Sequence, residues 1–205
     1  MAAPAVRDDA PAKRQKAVVA LIELRNFTRM SEVLDPVKVL ALADDFFALV
    51  ARAVVAHDGE VFAVQNDSLL AAFRNRATTR LAQQAVNAAQ AIQREFGALA
   101  ESWERGYGLK TAIAQGLHLG ETVFGNAGPA VSQRGVVFGD TVSIAQRLVH
   151  RARAGEFVLS EVLFDTLAGA GIDLEAAEEL PALELARRAP IPIYGVLLDT
   201  RLDFT

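Results

Sequence analysis

Asp67 lies at the tip of a short polar segment, QNDS (65–68), between two apolar runs. The runs read VFAV (61–64) and LLAAF (69–73), and turn-forming residues between apolar runs predict a β-hairpin with two well-buried strands. An acidic side chain at such a tip is either a simple turn former or half of a metal site. The position of Asp67 alone leaves both interpretations open.

A second carboxylate, Glu23, stands near the end of another apolar run, AVVALIEL (17–24), which predicts a strand. If this strand and the second hairpin strand are the first and third of a split βαβ unit, they are antiparallel neighbours in mid-sheet. We therefore expect Glu23 and Asp67 to meet at one sheet edge. Paired carboxylates beside a polyphosphate hold Mg²⁺, whereas separate ones are a solvated strand end and a turn residue.

The elements that this arrangement requires are predicted from apolar periodicity and from cap residues. Asp35 suits the N-cap and Pro36 the first position of a helix that Gly59 ends. The other predicted elements of the core are hairpin strands 60–65 and 69–74, a helix over 77–96 and a strand over 109–117. The order β-α-β-β-α-β predicts an α+β fold with a ferredoxin-like core, its helices on one face of an antiparallel sheet.

Further elements decorate this core. Asp140 suits the N-cap of a helix that ends near residue 152. The remaining predictions are a tight hairpin in GLHLGETVFGNAG (116–128), which has four glycines, a flexible loop in GPAVSQRG (128–135), a strand in EFVLS (156–160), a short helix in EVLFDTL (161–167) and an edge strand in the proline-containing PIPIYGVL (190–197).

The composition limits the classes of function. With 52% hydrophobic residues in 205, the chain can form one large domain, here predicted over 17–198, with a flexible tail or linker over 1–16 and a C-terminal tail over 199–205. A net charge of -4 gives no general attraction to nucleic acid. The absence of cysteine fits a cytoplasmic location and excludes disulfides, and no apolar run is long enough for membrane insertion.

Four segments, in this order and at suitable spacing, resemble the class III adenylate/guanylate cyclase catalytic domain. They are LIELRNFT (21–28), HDGEVFAVQNDSLLAAF (57–73), GLHLGETVFGNAG (116–128) and FGDTVSIAQRL (138–148), and the resemblance covers residues 17–197. It implies a ferredoxin-like core with an added hairpin, and a head-to-tail homodimer with two sites across its interface. The implied reaction converts a nucleoside triphosphate into a 3′,5′-cyclic monophosphate and pyrophosphate, with Mg²⁺ or Mn²⁺ as cofactor.

The resemblance assigns the metal-binding positions to Glu23 and Asp67. The family has an aspartate in a segment like F-A-D-I-x-G-F-T, where this chain has Glu23, so the carboxylate moves outward by one methylene. Mg²⁺ demands near-ideal geometry, and its binding is expected to weaken. Asp67 is retained, but Asn66 replaces the glycine that usually precedes it.

The resemblance also assigns base recognition and transition-state contacts. A lysine that usually reads the base is replaced by Ala63, and its acidic or threonine partner by Val136, so base specificity is expected to collapse. The transition-state Asn/Arg pair falls at Ser143 and Arg147, four residues apart on one helix face. Arg147 can meet a phosphate oxygen or form a surface ion pair, whereas Ser143 needs a water to reach the ribose.

Scaffold positions of the family persist. Gly116, Gly120 and Gly125 are expected to supply positive φ or close contact in the added hairpin, and Gly139-Asp140 to cap the next helix.

Three functions fit this pattern. The first is a class III cyclase homology domain with a degenerate site, impaired or inactive as an enzyme, which acts in signalling as a regulatory or dimerisation module. The second is a working adenylate or guanylate cyclase with unorthodox base recognition. The third is a protein-interaction domain with no nucleotide site. Side chains such as Phe62 and Phe138 that filled the cleft would favour the third.

Overall fold

The computed structural model describes residues 11–128 and 134–198. The elements in chain order are β1 (Lys13–Arg25), α1 (Phe27–Val33), α2 (Pro36–Ala56), β2 (Glu60–Gln65), β3 (Ser68–Phe73), α3 (Thr78–Tyr107), β4 (Ala112–Ala127), β5 (Arg134–Phe138), α4 (Asp140–Arg151), β6 (Glu156–Ser160), α5 (Glu161–Ala168), β7 (Ala177–Leu183) and β8 (Ile191–Leu197). Within this part of the chain, no helix combines the length and the apolar character that crossing a bilayer requires.

One mixed sheet has the strand order β2-β3-β1-β4-β6-β8-β7, with β5 paired to β4. The split βαβ prediction is confirmed, because β1 lies between β3 and β4 and is antiparallel to both. The pair β4–β6 is parallel and extends the sheet beyond the core. The α+β fold with a ferredoxin-like core is therefore as the sequence predicts.

The two faces of the sheet carry different helices. Even-numbered residues of β1, such as Ile22 and Leu24, are buried in the main core, which also contains residues of α2 and α3. Odd-numbered residues face the other side, where Leu21 packs against a cluster that includes Ile144 and Leu148 of α4. This second face, partly covered by α4, carries the candidate site.

The local helix signals before the site are confirmed. The Asp35 carboxylate accepts a 2.9 Å hydrogen bond from the Val37 amide, and Pro36 is the first residue of α2. Helix α3 continues eleven residues past the predicted end at 96, as far as Tyr107, where Gly108 adopts a left-handed conformation. The sequence prediction omitted α1, β5 and β7, since none of them has a clear periodic pattern.

Two predictions about the first strands are wrong, one on a boundary and one on burial. Strand β1 begins at Lys13, so residues 13–16 of the predicted tail pair with β4, while residues 1–10 lie outside the described part. The hairpin of β2 and β3 is where the sequence places it, but β2 is an edge strand with mostly exposed side chains. An apolar run on an edge strand is covered on one side only, which the sequence pattern does not reveal.

The tight hairpin predicted within 116–128 is replaced by one continuous strand, β4. Its first three glycines, including Gly116, have extended backbones rather than positive φ, and Gly128, with φ of 111°, follows the strand. The predicted flexible loop lies largely outside the described residues, since 129–133 are not described and β5 begins at Arg134.

The final strand, β8, is internal between β6 and β7, not at an edge as its prolines suggest. Pro190 precedes the strand, and Pro192 stands beyond Ile193, where the ladder with β6 stops. The register with β7 also shifts between Leu180 and Leu183, beside Pro192. The prolines therefore occupy positions where a missing amide breaks no regular ladder.

Gly116 allows α4 to lie directly on β4. A Cβ at this position would clash with the backbone of Ala145 and Val149. At Gly120 a Cβ would lie 2.7 Å from Thr141 Oγ1, a hydroxyl that donates to the carbonyl of Glu121. The expected close contact is thus present at both glycines, against the helix that borders the candidate site.

Gly116→Ala is expected to lower the free energy of unfolding by about 3 kcal/mol, because a rigid backbone rather than a flexible side chain must move. The matched control is Gly106→Ala in α3, where a Cβ meets nothing within 4 Å. That variant is expected to gain about 0.5–1 kcal/mol from helix propensity. Urea unfolding of both variants checks this, and equal effects would contradict the close contact.

Candidate active site

Glu23 and Asp67 lie at the same edge of the sheet. Glu23 is in register with Ser68, and the Leu24 amide donates a 2.8 Å hydrogen bond to the Asp67 carbonyl. The backbones of β1 and of the β2–β3 turn are therefore joined at this point. Asn66 adopts the left-handed conformation at φ of 49°, so it takes the turn position for which the family uses glycine.

The Glu23 carboxylate accepts a hydrogen bond at Oε1 from the guanidinium of Arg25, which lies two residues later on the same face of the strand. The Arg25 guanidinium also donates to the carbonyls of Val149 (2.6 Å) and Ala152 (3.0 Å) at the end of α4. His150 Nε2 lies 3.8 Å from the same carboxylate. Sequence reasoning missed Arg25, although its spacing of two from Glu23 on a strand was a usable signal.

The donor set suits a divalent metal only in part. Two carboxylates at one edge match the habit of Mg²⁺, which takes one or two acids and completes its shell with water and substrate phosphate. Within residues 11–128 and 134–198 no group of three or more His, Cys, Asp or Glu side chains is placed to hold a metal. Arg25 engages Oε1 of Glu23, so a cation at Glu23 would share the carboxylate with a guanidinium, and metal binding through this pair remains a prediction.

A cleft opens between the sheet and α4. Its lining residues are Leu21, Ala63, Gln65, Ser68, Leu70, Val142 and Gln146. Ala63, the predicted base position, thus lines the cleft and supplies no polar group. Val136 does not line it: this residue lies on β5, opposite Gly125 of β4. The structure does not bring the two predicted base-recognition positions into one cleft.

Ser143 and Arg147 lie one turn apart on α4, as their spacing predicts, and both are exposed. Helix α4 begins at Asp140 itself, with Gly139 at the N-cap, so the prediction that Asp140 is the N-cap is wrong. The Asp140 carboxylate instead accepts two 2.6 Å hydrogen bonds from Arg188. These hydrogen bonds from Arg188 lower the pKa of Asp140 below its ordinary value.

The aromatic side chains considered as cleft fillers do not line the cleft. Phe62 packs beside Phe124, with ring centroids 5.4 Å apart, and Arg74 covers both rings. Arg74 is held there by a bidentate pair with Glu60, at 2.8 and 2.6 Å. Phe138 is 60% exposed. The cleft is therefore open to a ligand within the described part of one chain.

His118 of β4 is buried beneath the first turn of α4. Its Nδ1 lies 2.7 Å from the buried Ser160 hydroxyl. Burial lowers the pKa of His118 from 6.5 to about 4, and this effect outweighs the opposite effect of the Asp140 charge. A neutral imidazole is therefore part of the scaffold under α4.

Comparison with known proteins identifies the family to which the chain belongs. Residues 10–187 match the profile of the adenylate and guanylate cyclase catalytic domain. The chain belongs to this family of class III nucleotide cyclase domains.

One curated relative, adenylate cyclase 1 of Rhizobium meliloti, is 32% identical over 137 residues, which are 66% of this chain. The chain spans only a fifth of the length of that relative.

Solved structures agree on the fold. The adenylyl cyclase CyaB from P. aeruginosa superposes with a TM-score of 0.84 at 20% identity, covering 94% of this chain and 98% of that one. The guanylate cyclase domain of RhGC from Catenaria anguillulae, solved in complex with GTP, has a TM-score of 0.75 at 18% identity, covering 90% of this chain and 97% of that one. These likenesses establish the fold, while the roles of the six predicted site residues stay predictions.

Stability is expected to fall as the pH drops below about 6.5, because the unfolded chain then binds a proton at His118 that the folded chain, with its pKa of about 4, does not. Between pH 6.5 and about 4, the free energy of unfolding is expected to fall by about 1.4 kcal/mol per pH unit. Urea unfolding at several pH values is expected to show that the His118→Gln variant loses less free energy of unfolding on acidification than the unmodified chain. The control His150→Gln, at a 60% exposed side chain, should keep the wild-type slope; identical slopes for all three proteins would refute the assignment.

Proposed function

We propose that this chain is a cyclase homology domain whose nucleotide site is impaired and which acts in intracellular signalling as a regulatory and dimerisation module. The observation that carries the proposal is the hydrogen bond between the Glu23 carboxylate and Arg25. This carboxylate, at the expected metal position, is engaged by Arg25, whose guanidinium is tied to two α4 carbonyls. A metal ion bound there would compete for the carboxylate with a cation that the fold itself provides at Oε1.

The base and transition-state positions support the same conclusion. Ala63 lines the cleft without a hydrogen-bonding side chain, and Val136 is apolar and lies away from it. Ser143 is shorter than the asparagine that the family uses. Loss of a single transition-state donor typically costs 10²–10³-fold in rate, so several losses leave little turnover, although they do not add simply.

A working cyclase with unorthodox base recognition is the second candidate. Two observations favour it: Glu23 and Asp67 lie at one sheet edge, and Arg147 is exposed on the helix that borders the cleft. In that case Glu23 and Asp67 would hold Mg²⁺ or Mn²⁺, which would neutralise charge on the phosphates. Arg147 would contact a phosphate oxygen.

The proposed partners follow from the family. They are a second copy of this chain in a head-to-tail homodimer and a nucleoside triphosphate. Exposure of Phe138, at 60% on the strand before α4, supports an interface at this side of the domain. The net charge of -4 supports no role in nucleic-acid binding.

Turnover of ATP and GTP is expected to be no greater for the purified chain than for its Asp67→Ala variant, with either Mg²⁺ or Mn²⁺. The triple variant Ala63→Lys, Val136→Asp, Ser143→Asn restores the family residues and is expected to raise cyclic nucleotide production by at least about 100-fold. Chromatographic detection of cyclic AMP and cyclic GMP measures both.

Adding Asp67→Ala to the triple variant is the control, and it should remove the gained activity. Robust production by the unmodified chain, abolished by Glu23→Ala, would overturn the proposal in favour of the second candidate. Failure of the triple variant to gain activity would overturn the residue assignments on which the proposal depends.

A further inference from the structure

The floor of the cleft consists of two cross-strand rows of side chains. In the first row Ala63, Leu70 and Leu21 are aligned on β2, β3 and β1. This row faces α4, because Gly116, in register with Leu21, is the glycine on which α4 packs. The row forms a flat apolar strip, as suits the face of a planar heterocycle.

The second row is polar and borders the strip. Gln65, Ser68 and Glu23 are aligned on the same three strands. The Ser68 hydroxyl donates a 3.1 Å hydrogen bond to the Gln65 carbonyl, so its proton is committed to the turn. The carboxylate of Glu23 is engaged by Arg25. The side-chain amide of Gln65 is therefore the group in this row that retains both donors and acceptors for a ligand.

A second amide stands on the helical side of the cleft. Gln146 follows Val142 by one helical turn, and both residues line the cleft from α4. The side chains of Gln65 and Gln146 are exposed, and neither amide has a hydrogen-bond partner among residues 11–128 and 134–198. An apolar floor with a few convergent polar groups is the usual composition of a small-molecule site.

We propose that this cleft binds a purine base, and that the amides of Gln65 and Gln146 recognise its polar edge in place of the absent lysine. The ligand class, a nucleoside triphosphate, rests on the proposed function. A side-chain amide pairs with adenine by accepting from N6 and donating to a ring nitrogen. Turned by 180°, the same amide donates to guanine O6 and accepts from N1–H.

Relaxed base specificity follows from this reversibility. The strip of Ala63, Leu70 and Leu21 contacts the face of either purine equally. Unlike an ammonium or a carboxylate, an amide has both a donor and an acceptor, so neither base leaves it with an unpaired group. The site is expected to bind ATP and GTP with affinities that differ by less than about fivefold.

The test measures binding rather than turnover. Fluorescent N-methylanthraniloyl derivatives of ATP and GTP are titrated onto the full chain in the presence of Mn²⁺. Gln146→Ala and Gln65→Ala are each expected to weaken both nucleotides by about fivefold to tenfold. Gln83→Ala on α3, an exposed glutamine on the opposite face of the sheet, is the matched control and should not change binding.

Gln146→Glu separates recognition from a general loss of fit. A carboxylate accepts from guanine N1–H and N2 but donates nothing to adenine. The variant is therefore expected to shift the ratio of the two dissociation constants toward GTP by about tenfold, even if the added charge weakens both nucleotides.

The proposal is overturned if Gln146→Ala and Gln65→Ala bind both nucleotides as the unmodified chain does, or if Gln146→Glu leaves the ratio unchanged. Absence of any binding at millimolar nucleotide would also overturn it. Absence of binding would also remove the nucleoside triphosphate from the proposed partners. None of these outcomes affects the proposal that turnover is impaired, which is overturned only by the turnover experiments.

Discussion

The close contact between β4 and α4 at Gly116 is the constraint on which the candidate site depends. Because this residue has no side chain, the helix backbone lies against the sheet rather than at side-chain distance. From that position α4 brings Val142 and Gln146 to the wall of the cleft and its last carbonyls to Arg25. A helix held further from the sheet would leave the rows of β1, β2 and β3 without a wall.

The second consequence of this packing concerns charge. Carbonyl groups at the end of a helix lack intrahelical partners and carry partial negative charge. Arg25 satisfies two of them and contacts Glu23 at the same time, so one guanidinium serves the fold and neutralises the expected metal ligand. The structural role of Arg25 and the proposed impairment of the metal site thus have the same physical origin.

Strand positions were predictable to different degrees. The β2–β3 hairpin and β6 follow from local turn and apolar signals, and the structure has them within a residue of the predicted bounds. The burial of β2 and the internal place of β8 were not predictable, since they depend on which strands lie alongside. Glycines in β4 suggested a turn because sequence alone does not distinguish positive φ from close packing, and at Gly116 the packing partner is almost thirty residues away.

The sequence by itself determined the family, the ferredoxin-like core and the placement of Glu23 and Asp67 at one sheet edge. The rules of handedness and connection leave one topology for this order of elements, in which the first and third strands are antiparallel neighbours. The local patterns that predict the elements are therefore sufficient to predict this pairing. Only the tertiary structure decided that Arg25 donates to the carbonyls of Val149 and Ala152 and that Gln65 and Gln146 share a cleft. These contacts join residues separated by about 80 to 127 positions, and they exist because the docking of α4, rather than any local preference, brings the groups together.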